Sequence, residues 1–243
     1  MNQKHILKNG REIEIKTLTT AHLDEILTLQ QEVIATLTTA SSLQPLSIEE
    51  FSFILDGKGL MIGAYFEEQL IAFRAMLEPE IDVEHLGIDA GLPESEWPLV
   101  IYSEITNVRP DFRGNGLQVL LGKIIMEEVD QERFRYIAAT VAPFNFPSLA
   151  DKFAHGLQIV ALKEKYDNML RYILMKDLAH PVAEDELVES TLIQMSDIKK
   201  QQNFLQSGWT GTGIEKINNE LCNYEIDSIS VQHLRLDTNF FII

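Results

Sequence analysis

The chain has a single cysteine, Cys222, and no cysteine–histidine cluster at metal-ligand spacing. One cysteine cannot form an internal disulfide, which argues against a disulfide-stapled secreted scaffold. No apolar run approaches the roughly 18 residues that a membrane-spanning helix needs. The first eight residues are polar and mixed, unlike a targeting signal. These features predict a soluble, cytoplasmic protein without a metal site.

Positive charge is also scarce, since 20 lysines and arginines stand against 37 acidic residues and give a formal net charge of -17. Such a surface repels nucleic acid and anionic lipid at long range, which argues against DNA, RNA or membrane partners. The same field attracts a cationic substrate such as an amine, although many acidic proteins are simply soluble. With 243 residues, 45% of them hydrophobic, the chain can form one sizeable domain with a small appendage.

Hydrophobic periodicity predicts the order β, α, α, β, β, β, α, β, α, β, β over the first 180 residues. Ser47 and Glu50 form a capping-box signature at the second helix, and Glu67-Glu68 forms a hairpin turn. Residues 78–98 are expected to form a long loop or a short helix. The predicted strands are 12–18, 60–66, 69–77, 100–108, 136–141, 158–165 and 170–176; the predicted helices lie within 20–37, 47–55, 117–132 and 147–155.

A proline and acidic residues at 179–189 indicate a linker, so we expect one domain over residues 1–180 and a C-terminal extension over 181–243. In the extension, residues 195–205 favour a helix, 208–213 a glycine loop and 225–243 one or two strands. The apolar end, Phe240 to Ile243, must be buried either on its own domain or across a partner, so a homodimer is one expectation.

The most informative segment is a strand that stops at Val108, a loop ending in Arg113-Gly114-Asn115-Gly116, and a helix from Leu117. The first amides of a helix have no intrahelical partner, and the helix dipole adds positive charge there, so such a turn attracts phosphate. Glycines let a pyrophosphate approach the backbone closely. The alternative is a merely structural connection, and the spacing is neither a Walker loop nor GxGxxG.

The run VRPDFRGNGL, from Val108 to Leu117, resembles motif A of the GNAT acetyltransferase superfamily: Arg or Gln, two residues, Gly, one residue, then Gly or Ala. Arg113 and Gly116 match, while Gln118 stands where the small residue is expected. A second segment, Asn145-Phe146-Pro147-Ser148 followed by a helix, is similar to motif B. The resemblance covers residues 12–178. It implies an α/β (α+β) domain of the acyl-CoA N-acyltransferase fold, with a central mixed, mostly antiparallel sheet and flanking helices.

The resemblance also implies that acetyl-CoA is the cosubstrate. In such proteins the sheet splays between its fourth and fifth strands, where the backbone of Thr106, Asn107 and Val108 would pair with the pantetheine arm. Asn145 and Ser148 would contact the pantetheine or the nucleotide half. The backbone amides expected to hold the pyrophosphate are those of Arg113, Gly114, Asn115, Gly116, Leu117 and Gln118.

Direct transfer needs an unprotonated amine, because an ammonium with a pKa of about 10.4 has no lone pair. Strand alternation places Glu104 on one face with Tyr102, Thr106 and Val108, so Glu104 is the candidate general base. A substrate anchor or an ordinary half-exposed strand residue is the alternative.

The candidate general acid also comes from the resemblance. It implies a tyrosine seven residues after the motif B asparagine, which protonates the leaving thiolate, and Lys152 occupies that position. Lys152 is therefore the candidate acid, with an ordinary surface lysine as the alternative. Tyr102, Tyr166 and Tyr172 could substitute as the acid.

Two histidines, His85 and His155, are expected to be solvated. Two tryptophans, Trp97 and Trp209, could line an acceptor pocket or simply pack against the core.

The leading hypothesis is an N-acetyltransferase acting on the amino group of an unidentified small molecule or polypeptide. The second hypothesis is a non-catalytic acyl-CoA-binding or regulatory module, in which the missing tyrosine signals lost chemistry. A nucleotide-binding or purely structural α/β domain fits less well, because the element order is not that of a doubly wound sheet.

Overall fold

The computed structural model describes residues 1–37, 44–166, 168–180, 187–219 and 224–234. None of the helices in these ranges is both long and apolar enough to cross a membrane. The helices are α1 (Leu23–Ile34), α2 (Ile48–Phe53), α3 (Leu86–Asp89), α4 (Leu117–Glu127), α5 (Phe146–Ala154) and α6 (Ile198–Gln206). The strands are β1 (Asn2–Ile6), β2 (Glu12–Thr17), β3 (Gly59–Phe66), β4 (Gln69–Leu77), β5 (Val100–Val108), β6 (Tyr136–Val141), β7 (Gln158–Lys165), β8 (Met169–Asp177), β9 (Leu187–Gln194), β10 (Thr210–Asn219) and β11 (Tyr224–Leu234).

The chain divides into two compact units. Unit 1 comprises Met1–Ile88 and Pro93–Ala139, and unit 2 comprises Asp89–Leu92 and Thr140–Ile243. The expected domain boundary between residues 180 and 181 stays a prediction, because residues 181–186 lie outside the described ranges.

In unit 1 the strands lie in the order β1 to β6, antiparallel from β1 to β5, with β6 joining β5 in parallel. Alternation along β4 directs neighbouring side chains to opposite faces. Phe73 belongs to the hydrophobic core with Ile26 of α1 and Phe51 of α2. Arg74, the next residue, donates a hydrogen bond from Nη1 to the backbone oxygen of Gln118 in α4. The helices α1 and α2 therefore cover one face of β4, and α4 covers the other.

The strands and helices predicted over residues 12–178 are present, with ends that differ by a few residues. The capping box is confirmed, because Ser47 Oγ accepts from the Glu50 N–H at 3.2 Å and Glu50 Oε2 accepts from the Ser47 N–H at 2.7 Å. The strand β1 was not predicted. It pairs with β2 through its backbone while nearly all of its side chains are exposed. Its sequence therefore lacks the alternation of apolar and polar residues from which a strand is predicted.

In unit 2 the antiparallel strands lie in the order β8-β7-β10-β11-β9. The predicted glycine loop at 208–213 is wrong from Thr210 onward, where β10 begins. The register of β10 shifts between Gly211 and Gly213, so these glycines mark a β-bulge rather than a loop. The predicted linker is wrong at its end, because β9 begins at Leu187. Cys222 and the apolar segment 240–243 lie outside the described residues.

A buried polar link joins β8 to α6 within unit 2. Tyr172 is fully buried, and its hydroxyl donates to Gln201 Oε1 at 2.7 Å. The amide Nε2 of Gln201 donates in turn to the backbone oxygens of Met195 at 2.8 Å and Gln194 at 3.1 Å. Burial raises the pKa of the Tyr172 phenol, although its bond to Gln201 acts in the opposite direction. Tyr172 therefore stays a protonated donor committed to Gln201, which argues against its use as the catalytic acid.

We expect Tyr172→Phe to lower the free energy of unfolding by about 1–3 kcal/mol, because Gln201 Oε1 would stay buried without its donor. The Tm should fall by roughly 2–4 °C per kcal/mol in a protein of this size. Thermal unfolding followed by circular dichroism measures both. The double variant Tyr172→Phe/Gln201→Leu removes both partners, so its loss of unfolding free energy should be smaller than the sum of the losses in the two single variants. A purely additive loss would show that the two side chains do not interact.

Candidate functional site

The loop after β5 turns into α4 through two glycines in the left-handed conformation. Gly114 has φ +77° and Gly116, the N-cap of α4, has φ +79°. A Cβ built at Gly114 would meet no atom within 4 Å, and one at Gly116 would meet only Lys8 Cε, at 3.6 Å. Glycine is therefore required here by backbone conformation rather than by crowding, and the space outside the turn is open.

The first turn of α4 offers free hydrogen-bond donors. The Leu120 N–H makes the first intrahelical bond, to the Gly116 oxygen at 3.0 Å. The backbone N–H groups of residues 116–119 have no acceptor among the described residues. The first turn carries no acidic side chain, so nothing opposes the positive end of the helix dipole. This arrangement is suited to binding a phosphate group.

Side chains of the loop hold its own shape. Arg113 donates from Nε to the Val108 oxygen at 3.3 Å and from Nη2 to Thr36 Oγ1 at 3.1 Å. Asn115 Nδ2 donates to the Phe112 oxygen at 3.0 Å. The side chains of Arg113 and Asn115 thus brace the turn. The Arg113 N–H itself donates to the Pro110 oxygen at 3.3 Å, so the amides left for a ligand begin after Arg113.

A second pair of side chains anchors the start of the loop. Arg109 binds Asp111 through two hydrogen bonds of 2.8 and 3.1 Å and donates to Gln69 Oε1 at 2.9 Å. The hydrogen bond from Arg109 lowers the pKa of the Asp111 carboxyl. Asp111 therefore stays ionised and keeps its partner at neutral pH.

The strand β5 separates from β6 after its first three residues. Val100 to Tyr102 pair with residues 136–138 of β6, whereas the pairing of β5 with β4 continues to Val108. Asn107 lies in the separated part and is 1% exposed. Its side-chain atoms Oδ1 and Nδ2 are buried with no hydrogen-bond partner among the described residues. An unpaired buried amide lowers stability by about 1–3 kcal/mol, so a further polar group that hydrogen-bonds to the Asn107 side chain would stabilise this stretch.

Glu104 lies at a β-bulge. Ile105 pairs with Ala75 and Ser103 pairs with Met76, which leaves Glu104 as the extra residue on β5. Its side chain is half-buried. Bulges re-aim side chains and are frequent next to active sites.

The bulge corrects the prediction from simple alternation. Tyr102 lies opposite Leu77 and Thr106 lies opposite Arg74. Leu77 and Arg74 are three residues apart on the part of β4 that pairs regularly with β3, so they point to opposite faces. The expectation that Tyr102, Glu104 and Thr106 share one face is therefore wrong, because one inserted residue shifts the alternation.

An aromatic group packs beside the start of β5. The Tyr102 hydroxyl accepts from the Leu86 N–H at 2.6 Å, and the His85 ring lies 5.7 Å from the Tyr102 ring and 6.2 Å from Trp97. His85 is buried, so the expectation of a solvated histidine is wrong for this residue. These contacts favour the packing interpretation of Trp97. In unit 2, Trp209 likewise packs edge-to-face on Phe204 at 4.9 Å.

The segment similar to motif B forms a buried ionic cluster in unit 2. Asn145 caps α5 by accepting from the Ser148 N–H at 3.3 Å. Lys152 is 7% exposed, with Nζ 3.5 Å from Asp151 Oδ2, and His155 Nε2 lies 3.4 Å from Asp151 Oδ1. Lys152 is therefore not a surface lysine, and the expectation of a solvated His155 is also wrong. The acid role of Lys152 and the cofactor contacts of Asn145 and Ser148 stay predictions.

The buried side chain of Arg74 was missed by the sequence analysis. It donates to Gln118 at 3.1 Å and from Nη2 to Ser103 Oγ at 3.0 Å, so it ties the first turn of α4 to β5. The signal was present, because Arg74 interrupts the otherwise apolar run from Leu70 to Leu77. A charged residue inside such a strand usually has a specific buried role.

No protein-family model matches the sequence, and neither does any curated protein. Solved structures do resemble it. The GNAT domain of S. lividans PAT is 16% identical, with a TM-score of 0.53 over 73% of this chain and 97% of that one. The structure of yncA from Salmonella typhimurium with its cofactor acetyl-CoA is 12% identical, with a TM-score of 0.52 over 70% and 98% of the two chains. The ribosomal-protein-alanine N-acetyltransferase from Brucella melitensis is 16% identical, with a TM-score of 0.51 over 68% and 99%. The predicted fold class is confirmed: the chain has the mixed α/β, mostly antiparallel fold of the GNAT acetyltransferases.

Proposed function

We propose that the chain is an N-acetyltransferase that transfers an acetyl group from acetyl-CoA to the amino group of a small molecule or polypeptide. The observation that carries the proposal is the open glycine turn with free amides at the start of α4. It lies in a fold shared with a protein whose structure holds acetyl-CoA.

In this proposal the turn holds the pyrophosphate. The backbone amides of residues 114–118 surround the phosphate oxygens, and the left-handed glycines keep Cβ atoms out of the way. The backbone of Thr106, Asn107 and Val108 pairs with the pantetheine arm where β5 has left β6. The buried Asn107 amide, which has no partner among the described residues, would then hydrogen-bond to the amide groups of that arm.

Saturating acetyl-CoA, at about 100 times its Kd, should stabilise the protein by about 2.7 kcal/mol. We expect the Tm to rise by roughly 5–10 °C in thermal unfolding, with free CoA acting similarly and ADP less. Gly116→Val should abolish the shift, because a β-branched residue cannot hold the +79° dihedral without strain.

A matched control separates strain from binding. Gly57 also has a left-handed φ, +98°, and a Cβ there would meet nothing within 4 Å. Gly57→Val should destabilise the free protein by a similar amount, yet keep the acetyl-CoA shift. If millimolar acetyl-CoA shifts neither the wild type nor the control, the turn is only a connector.

The chemistry requires a base for the attacking amine. Glu104 would accept the proton of the ammonium, directly or through a water, so that the nitrogen lone pair can attack the thioester carbonyl. The carbon–nitrogen bond forms, the carbon–sulfur bond breaks, and the thiolate leaves to be protonated as free CoA. The bulge at Glu104, which turns one carboxylate out of the regular ladder, supports this choice.

We expect Glu104→Gln to lower kcat by about 10²–10⁴-fold while the acetyl-CoA thermal shift is retained. The loss should be largest at low pH, where more of the amine is protonated. Release of free CoA thiol across a panel of amines measures the rate. Glu127→Gln, which removes an exposed carboxylate of α4, should leave turnover unchanged. Full turnover of Glu104→Gln at every pH would rule out the base role.

The second candidate function is a non-catalytic acyl-CoA-binding module. Burial of Lys152 beside Asp151 favours it, because the residue standing in for the expected tyrosine is held in an ion pair. This candidate predicts that acetyl-CoA raises the Tm while no amine in the panel releases CoA thiol.

A further inference from the structure

Three cationic side chains share one face of the β7–β8 hairpin in unit 2. Lys163 lies directly opposite Arg171, and Lys165 lies opposite Met169. Opposite residues and residues two apart point to the same face of a sheet, so Lys163, Lys165 and Arg171 lie together. Like charges directly opposite each other destabilise a strand pair, which makes this an unfavourable arrangement on its own.

One carboxylate is shared between the two lysines of this face. Asp89 Oδ1 lies 3.1 Å from Lys163 Nζ, and Asp89 Oδ2 lies 2.8 Å from Lys165 Nζ. The Lys163 side chain is 47% exposed, so the face can be reached from solvent on its side. Asp89 therefore fixes the lysines without closing the face.

Arg171 is buried without an ion pair among the described residues. It is 8% exposed, and it donates from Nη1 to the Leu170 oxygen at 3.2 Å and from Nη2 to Met169 Sδ at 3.3 Å. A thioether is a weak acceptor. Burial lowers the pKa of the Arg171 guanidinium, and Tyr166 partly offsets that effect. A buried cation whose acceptors are one carbonyl oxygen and one thioether lacks a counter-charge, which is costly, and an anion would supply that charge.

We propose that this face of unit 2 binds an oxyanion, a carboxylate or phosphate group of a small molecule. Arg171 Nη2 would exchange its thioether contact for a charge-assisted hydrogen bond to the anion. Lys163 would close over the anion from the solvent side, while Asp89 keeps Lys165 in place. The site goes beyond acetyl transfer and does not depend on it.

The test uses the full chain without acetyl-CoA and titrates inorganic phosphate and succinate in parallel by calorimetry and thermal unfolding. We expect saturable binding that raises the Tm, against a sodium chloride series of equal ionic strength. Tighter binding of phosphate would identify the natural ligand as a phosphate compound, and tighter binding of succinate would identify it as a carboxylate compound. Absence of saturable binding by both probes would overturn the proposal.

Variants separate binding from a structural role. Arg171→Met keeps an unbranched apolar stem and removes the charge, so anion affinity should fall about 10–100-fold, as expected for loss of a hydrogen bond to a charged group. The anion-free Tm should stay equal or rise, whereas a structural role for Arg171 predicts a fall. Unchanged anion affinity would overturn the proposal.

Two further variants complete the test. Lys163→Gln changes a half-exposed side chain whose ion pair contributes little to stability, and it should weaken anion binding by several-fold. Lys199→Gln removes one exposed positive charge of α6 in the same unit and should leave anion binding unchanged. An equal loss in both lysine variants would show that only net charge matters, which contradicts a defined site.

Discussion

The buried guanidinium of Arg74 is the interaction on which the arrangement of unit 1 depends. It lies on β4, fully excluded from solvent, and donates to the backbone of Gln118 in α4 and to Ser103 on β5. A buried charge is tolerated only where hydrogen bonds replace its hydration. Those bonds fix where α4 begins relative to the sheet, and the amides at that beginning are the candidate phosphate donors. Arg74 therefore positions the backbone amides that are the candidate phosphate donors.

The strand β5 carries two departures from regular pairing within nine residues. It leaves β6 after Tyr102, and it bulges at Glu104. Each departure gives up sheet hydrogen bonds, and each lies beside a polar side chain: the buried Asn107 amide after the separation and the half-buried Glu104 carboxylate at the bulge. Irregularity that costs stability and collects polar groups is typical of functional strands.

Charge is distributed differently from what the net value of -17 suggests. The acidic composition describes the exposed surface, whereas buried cations occur in both units, including Arg74, Lys152, Lys165 and Arg171. Net charge governs long-range attraction, while a buried cation governs what binds directly beside it. An acidic protein can therefore hold a defined site for an anion.

The sequence by itself determined the features that depend on neighbours along the chain. These are the capping box, the hairpin turn, and the strand, glycine turn and helix of motif A, because caps and left-handed glycines follow from local backbone chemistry. Tertiary structure decided the bulge at Glu104, the burial of Lys152 and the pairing of Lys163 opposite Arg171. Register and burial are set by distant partners, so no local pattern encodes them. For the same reason the start of β10 was predicted as a glycine loop: its strand conformation depends on pairing with β7 and β11, which the glycine pattern at 208–213 does not show.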